Sequence, residues 1–162
     1  MKKFSIWKKV LVSCAVLVGC FSIQLNHQNQ MDSESFVSSS FLPTAHANAN
    51  EAYAFYSSGY IPQEVLSNHV GSMNMESTAY SPDEPGGGGY HTATGDVVQY
   101  GVIAVDPSII PLYTKVFVEG YGYATALDTG GAIHGNIIDV AFNDMSNLSS
   151  WGRRYIDVYI LG

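Results

Sequence analysis

The chain has 162 residues, room for one domain and a leader but not for two well-packed domains. Its charge is lopsided: Lys2, Lys3, Lys8 and Lys9 open the chain, and beyond Cys20 all fourteen acidic residues face only Lys115, Arg153 and Arg154. A surface this acidic repels polyanions, which argues against nucleic acid and anionic lipid headgroups as partners and leaves a neutral or sugar-rich substrate as the better fit.

Residues 1–23 read as a signal or anchor segment. A lysine-rich start precedes Val10 to Ile23, an almost wholly apolar run that is short for a membrane span and suits the core of an export signal. Leu17-Val18-Gly19-Cys20 resembles the lipobox of bacterial lipoproteins, Ala45-His46-Ala47 has the small-x-small form of a signal-peptidase site, and an uncleaved anchor is the third outcome. Each puts the rest of the chain outside the cytoplasm, secreted or held at the envelope, with any membrane contact made through this segment or a lipid on Cys20. Both cysteines, Cys14 and Cys20, fall here, so the exported part has neither a disulfide nor a thiol nucleophile.

Residues 24–72 read as a flexible tether and a variable pre-domain segment. The stretch to residue 50 is rich in Asn, Gln, Ser and Ala without sustained periodicity. Beyond it, Tyr53, Phe55, Tyr56 and Tyr60 are candidates for packing on a domain, and Gln63 to His69 for a short helix after Pro62.

Residues 73–162 change texture to short β-like runs broken by glycine. Val97 to Val105 is one run; Lys115 to Glu119 and Tyr121 to Leu127 flank Gly120 as a hairpin; Ile137 to Phe142 is another. Tyr155 to Leu161 alternates, with Ile156, Val158 and Ile160 on one face. Asn143 to Trp151 predicts a short helix ended by Gly152. Short strands with glycine turns in so few residues predict an all-β fold closed into a small barrel, since closure removes exposed strand edges.

Three aspartates stand out. Asp106 follows an apolar strand in Gly101-Val-Ile-Ala-Val-Asp-Pro107, Asp128 runs into a glycine turn in Ala126-Leu-Asp-Thr-Gly-Gly131, and Asp139 sits inside Asn136-Ile-Ile-Asp-Val140. Ionised carboxyls in apolar strands are costly unless paired, and few cations are at hand, so desolvation is expected to raise the pKa of at least one. A raised pKa makes a carboxyl a general acid at neutral pH. Asp106 and Asp128 fit a turn-capping role equally well; Asp139, inside a strand, does not.

The histidines His27, His46, His69, His91 and His134 lack metal-ligand spacing, so no metal site is expected. Pro85-Gly86-Gly-Gly-Gly89 lacks the Lys-Ser/Thr of a phosphate loop and reads as a loop at a groove edge. Tyr80, Tyr90, Tyr100, Tyr121 and Tyr123 suit sugar stacking or barrel packing equally.

Together with these aspartate segments, the ordered set Ser77-Thr-Ala-Tyr80, Thr92-Ala-Thr-Gly95, Ile110-Pro111, Val118-Glu-Gly-Tyr-Gly122, Ile133-His-Gly-Asn-Ile-Ile-Asp139 and Trp151-Gly-Arg-Arg154 resembles the 3D (three-aspartate) domain over residues 75–162. That family includes stationary-phase survival and autolysin-like wall proteins, and its core is similar to the catalytic barrel of membrane-bound lytic transglycosylase A. The resemblance implies a six-stranded double-psi β-barrel with one or two short helices. It also implies peptidoglycan glycan strands as substrate and lytic cleavage of the bond from N-acetylmuramic acid to N-acetylglucosamine, giving a 1,6-anhydro end and needing no cofactor. Asp139 corresponds to the acid/base, Asp128 to its carboxylate neighbour and Asp106 to the third aspartate, assisting or structural. Thr92 and Thr94 fall where the family's groove holds substrate, with Tyr80 beside them. Tyr113 departs from the pattern, which has glycine there. A glycoside hydrolase and a non-catalytic wall-binding module remain the rival readings.

Overall fold

The computed structural model describes residues 48–85 and 89–162. The leader with Cys14 and Cys20, the tether to residue 47, both cleavage signals and Gly86 to Gly88 of the glycine loop lie outside the described residues. Among the described residues no helix is long and apolar enough to cross a membrane.

The elements in chain order are helices α1 (Ala49–Tyr56) and α2 (Gln63–Asn68), and strands β1 (His69–Tyr80), β2 (Val102–Ala104), β3 (Lys115–Val118), β4 (Gly122–Asp128) and β5 (Ile137–Ala141). A 3₁₀ turn (Met145–Asn147), helix α3 (Leu148–Trp151) and strand β6 (Arg154–Leu161) complete the chain. The six strands close into a barrel in the order β1-β5-β2-β4-β3-β6. Two pairings, β1 with β5 and β2 with β4, are parallel; the other four are antiparallel. The expected small closed six-stranded barrel with few short helices is thus the observed fold.

Alternation along the strands divides inside from outside. Met75, Ile103, Val116, Val118, Ala126, Ile138, Val140, Ile156 and Val158 form one buried cluster, joined by Tyr121, Phe142 and Trp151. The polar atoms drawn into it are paired: Trp151 Nε1 donates to Ser77 Oγ at 3.1 Å, and the Tyr121 hydroxyl donates to the Ala141 carbonyl at 2.5 Å. Such pairing removes the cost of burying them.

Several elements differ from the sequence reading. The expected run Val97 to Val105 keeps only Val102–Ala104 as strand, because Gly101 turns the chain at φ 94. The helix expected at Asn143 to Trp151 divides into the 3₁₀ turn and α3, the former capped by the Asp144 side chain accepting from Ser146 N at 2.8 Å. Strand β1 begins at His69 and pairs with β6 from Leu161 onward, so the folded body reaches upstream of residue 73.

That body also includes α1 and α2. Asn48 and Glu51 make a reciprocal capping box that starts α1. Tyr53 then packs edge-on against Phe142 at 4.8 Å between centroids, and Tyr56 against Phe117 at 5.4 Å. Gly122 is needed beneath Tyr56: its φ is 113, and a side-chain carbon there would overlap the Tyr56 ring. The Tyr123 hydroxyl donates to Glu64 of α2 at 2.9 Å. Residues 49–68, within the expected tether and pre-domain segment 24–72, therefore serve as a cover on one side of the barrel, and residues 69–72 belong to β1 itself.

Tyr113 adopts φ 69, a left-handed conformation that glycine reaches without steric cost. The departure noted from the family pattern thus coincides with a position whose backbone favours glycine. The Tyr113 ring is exposed and its N–H donates to the Ala126 carbonyl at 2.7 Å.

Candidate active site

The strand register sets the site. Ala104 of β2 is the Cα partner of Asp139 on one side and of Asp128 on the other, and Asp139 is in turn the partner of Thr78 on β1. Thr78, Asp139, Ala104 and Asp128 therefore form one row across four neighbouring strands. Asp128 joins this row through a local irregularity: the β2–β4 register shifts between Ile103 and Ala104. Strict alternation would send it inward after Ala124 and Ala126. The two aspartates stand two strand spacings apart, roughly 10 Å at the backbone, with only the methyl of Ala104 between.

A cleft of about 300 Å³ opens over this row, lined by Asp128, Asp139, Ala104, Tyr80, Glu84 and the turn from Thr129 to Ile133. Its volume is at the lower end of ordinary ligand clefts. Gly130 shapes the wall, because a side-chain carbon there would meet Ile133 Cγ1 at 2.7 Å. The lining holds three carboxyls and no cation. Arg153 pairs with Glu76, the only ion pair among the described residues, and Arg154 lies over the Trp151 ring at 4.3 Å.

The two cleft aspartates have different surroundings. Asp128 is 9% exposed and accepts three hydrogen bonds of 2.8 Å, from the Tyr80 hydroxyl, Ala93 N and Thr129 N. Every one is an acceptor role, which a carboxylate fills. Asp139 accepts one, from Thr78 Oγ1 at 2.8 Å. Burial pushes its pKa up to about 6, with Glu84 and Asp128 adding to the rise and the Thr78 bond opposing it. At pH 7 such a group is neutral in roughly one molecule in ten, against roughly one in a thousand for an ordinary aspartate.

Asp106 stands outside the cleft lining, in the turn after β2. Its carboxylate accepts from Ser108 Oγ at 2.6 Å, Ser108 N at 2.9 Å and Gly135 N at 2.7 Å. These bonds, that from the Ser108 hydroxyl foremost, hold its pKa down at about 2. It ties its own turn to the Gly135 loop that leads into β5, the strand of Asp139.

Thr92 and Thr94 also stand outside the lining, behind Asp128. Thr94 N and Oγ1 both donate to the Leu127 carbonyl, at 3.2 and 2.9 Å, and Thr92 Oγ1 accepts from Asp96 N at 3.1 Å. Their tight turn aims Ala93 N at Asp128. Tyr80 lines the cleft, but its hydroxyl is committed to Asp128. Glu84 carries no signal in the sequence: it follows β1 in a polar, proline- and glycine-flanked loop with no apolar periodicity to mark it. No group of three or more potential metal ligands occurs among the described residues.

The family described as the 3D domain matches residues 101–162, the span that holds all three aspartates. The chain is 50% identical over 93 residues to YabE of Bacillus subtilis, which carries a provisional description as a cell wall shaping protein. It is 48% identical over 93 residues to YocH of the same organism, a cell wall-binding protein. Each match spans 55% of this chain but only 23% of YabE and 32% of YocH. Among solved structures, the lytic transglycosylase MltA of E. coli aligns at 26% identity and a TM-score of 0.38, over 44% of this chain and 27% of MltA. Residues 101–162 of the chain thus match the 3D-domain family.

Proposed function

We propose that the chain is a peptidoglycan lytic transglycosylase of the bacterial envelope, with Asp139 as its acid and base. The observation that carries this reading is Asp139 itself: a carboxyl pushed up to about 6, lining a cleft beside the firmly held carboxylate of Asp128. Neutral Asp139 donates its proton to the glycosidic oxygen as the bond to the anomeric carbon breaks. The C6 hydroxyl of the muramic residue attacks that carbon and returns its proton to Asp139, closing a 1,6-anhydro ring. Atoms balance without water or cofactor, so one acid/base group suffices. Asp128 steadies the positive charge that develops at the anomeric carbon. The cleft's lack of a cation suits a glycan whose lactyl carboxyls are capped as amides. The wall-related descriptions of YabE and YocH support an extracytoplasmic setting.

A second reading has its own support, since YocH is named for binding alone. In a wall-binding module the same carboxyls act only as hydrogen-bond acceptors. Digestion of purified sacculi in oxygen-18 water separates the readings. We expect soluble muropeptides with unlabelled ends that resist borohydride and are lighter by one water than hydrolysed ones. Labelled, reducible ends mean hydrolysis, where a second carboxyl activates water or attacks. Bound sacculi with no soluble product mean a binding module.

A further inference from the structure

Resting on the lyase reading, the geometry points to Thr78 as a positioning residue that places the transferable proton of Asp139 on Oδ2, the oxygen open to the cleft. Thr78 and Asp139 are direct partners in the parallel β1–β5 pairing, and Thr78 Oγ1 donates to Oδ1 at 2.8 Å. An oxygen already accepting that bond is the poorer seat for a proton. Oδ2 has no partner and is not a buried orphaned atom among the described residues, and Asp139 lines the cleft, which leaves this oxygen as the one free to meet a ligand there. Of the elements around Asp139, β2 offers Ala104 with no polar side chain, β4 offers the carboxyl of Asp128, the loop after β1 offers Glu84, and β1 itself offers Thr78 and the neutral phenol of Tyr80. Thr78 is thus the one hydroxyl donating to Asp139 among the described residues. A rigid strand pairing holds it there, which is how a supporting residue fixes the orientation of a reacting group.

Thr78→Val keeps the side chain's shape and removes the donor; Thr78→Ser restores it. Anhydro ends released from sacculi are counted across pH for the wild type and both variants. In Thr78→Val we expect the low-pH plateau of turnover to fall by about tenfold or more. The upper limb should move to higher pH, because a bond favouring the charged carboxyl is gone. Thr78→Ser should recover both. A wild-type plateau in Thr78→Val overturns the assignment even if the limb moves, since the proton is then delivered without Thr78. A lowered plateau with an unmoved limb, or one that serine does not recover, also overturns it and leaves Thr78 a structural residue. An inactive wild-type chain is a separate result: the lyase reading fails before any variant is compared, and the inference fails with it.

Discussion

Where α1 meets the barrel, Tyr53, Tyr56, Phe117, Phe142 and Trp151 pack ring against ring, whereas the row at Ala104 pairs a methyl and a glycine turn with the carboxyls of Asp128, Asp139 and Glu84. On the first side, large rings fill space, and the indole N–H of Trp151 and the phenol of neighbouring Tyr121 find partners. On the second, small residues leave space, and Asp139 keeps one oxygen without a partner among the described residues. The difference indicates a division of labour. Apolar burial and ring contacts stabilise the barrel on one side, which lets it tolerate a partly desolvated carboxyl on the other.

The sharpest way to break that division is Asp139→Asn. Asparagine still accepts from Thr78 but has no proton to give, so turnover should fall by roughly 10² to 10⁴. Stability should move the other way. The folded-state pKa of Asp139 is raised, so ionising it opposes folding: stability from this group is full below about pH 4 and falls as pH rises towards 6. Asp139→Asn should therefore hold or raise stability at pH 7, by up to about 3 kcal/mol. Asp106→Asn should do the opposite, because its carboxylate is held by bonds that favour the charge. Its contribution is present above about pH 4 and is lost as pH falls towards 2. Equal loss of activity in both variants, with equal loss of stability, would erase the contrast.

Tyr56→Ala probes the aromatic side. Its ring covers Phe117 and Gly122, so truncation should cost about 3 kcal/mol of unfolding free energy. Turnover per folded molecule should be unchanged at a temperature well below melting. A specific loss of turnover would show that the two sides are coupled.

A smaller effect is expected from Tyr80→Phe. It removes one of three bonds to Asp128, leaving the Ala93 and Thr129 N–H groups in place. Loss of a bond to a charged group costs about 2 kcal/mol, and turnover should fall less than tenfold, a limit set by the two bonds that remain. A loss as large as that of Asp139→Asn would move the chemistry towards Tyr80.

Much of the barrel was legible because its strands carry strong apolar alternation: β3, β4, β5 and β6 lie within a residue or two of the expected runs. The long strand β1 was not, since His69 to Tyr80 mixes glycine, serine and asparagine and one inward position is Ser77, paired with Trp151. Helix α1 carried a readable signal in Asn48 and Glu51, but its anchor is tertiary: Tyr56 needs Phe117 and Gly122, more than sixty residues away. At the site, Asp139 stood out because a carboxyl inside an apolar strand is rare. The support given to Asp128 by Ala93, and the placing of Glu84 at the cleft, arise from loops that fold back on the barrel. Spacing along the chain does not encode such approaches.

In the proposed mechanism Asp139 stays partly neutral near physiological pH, in a cleft open to substrate. Carbon-13 NMR of carboxyl-labelled aspartate, with the Asp139 resonance assigned from its loss in Asp139→Asn, measures that directly. A titration midpoint near 6 is expected for this one resonance. A midpoint near 4, the ordinary value for aspartate, would contradict it.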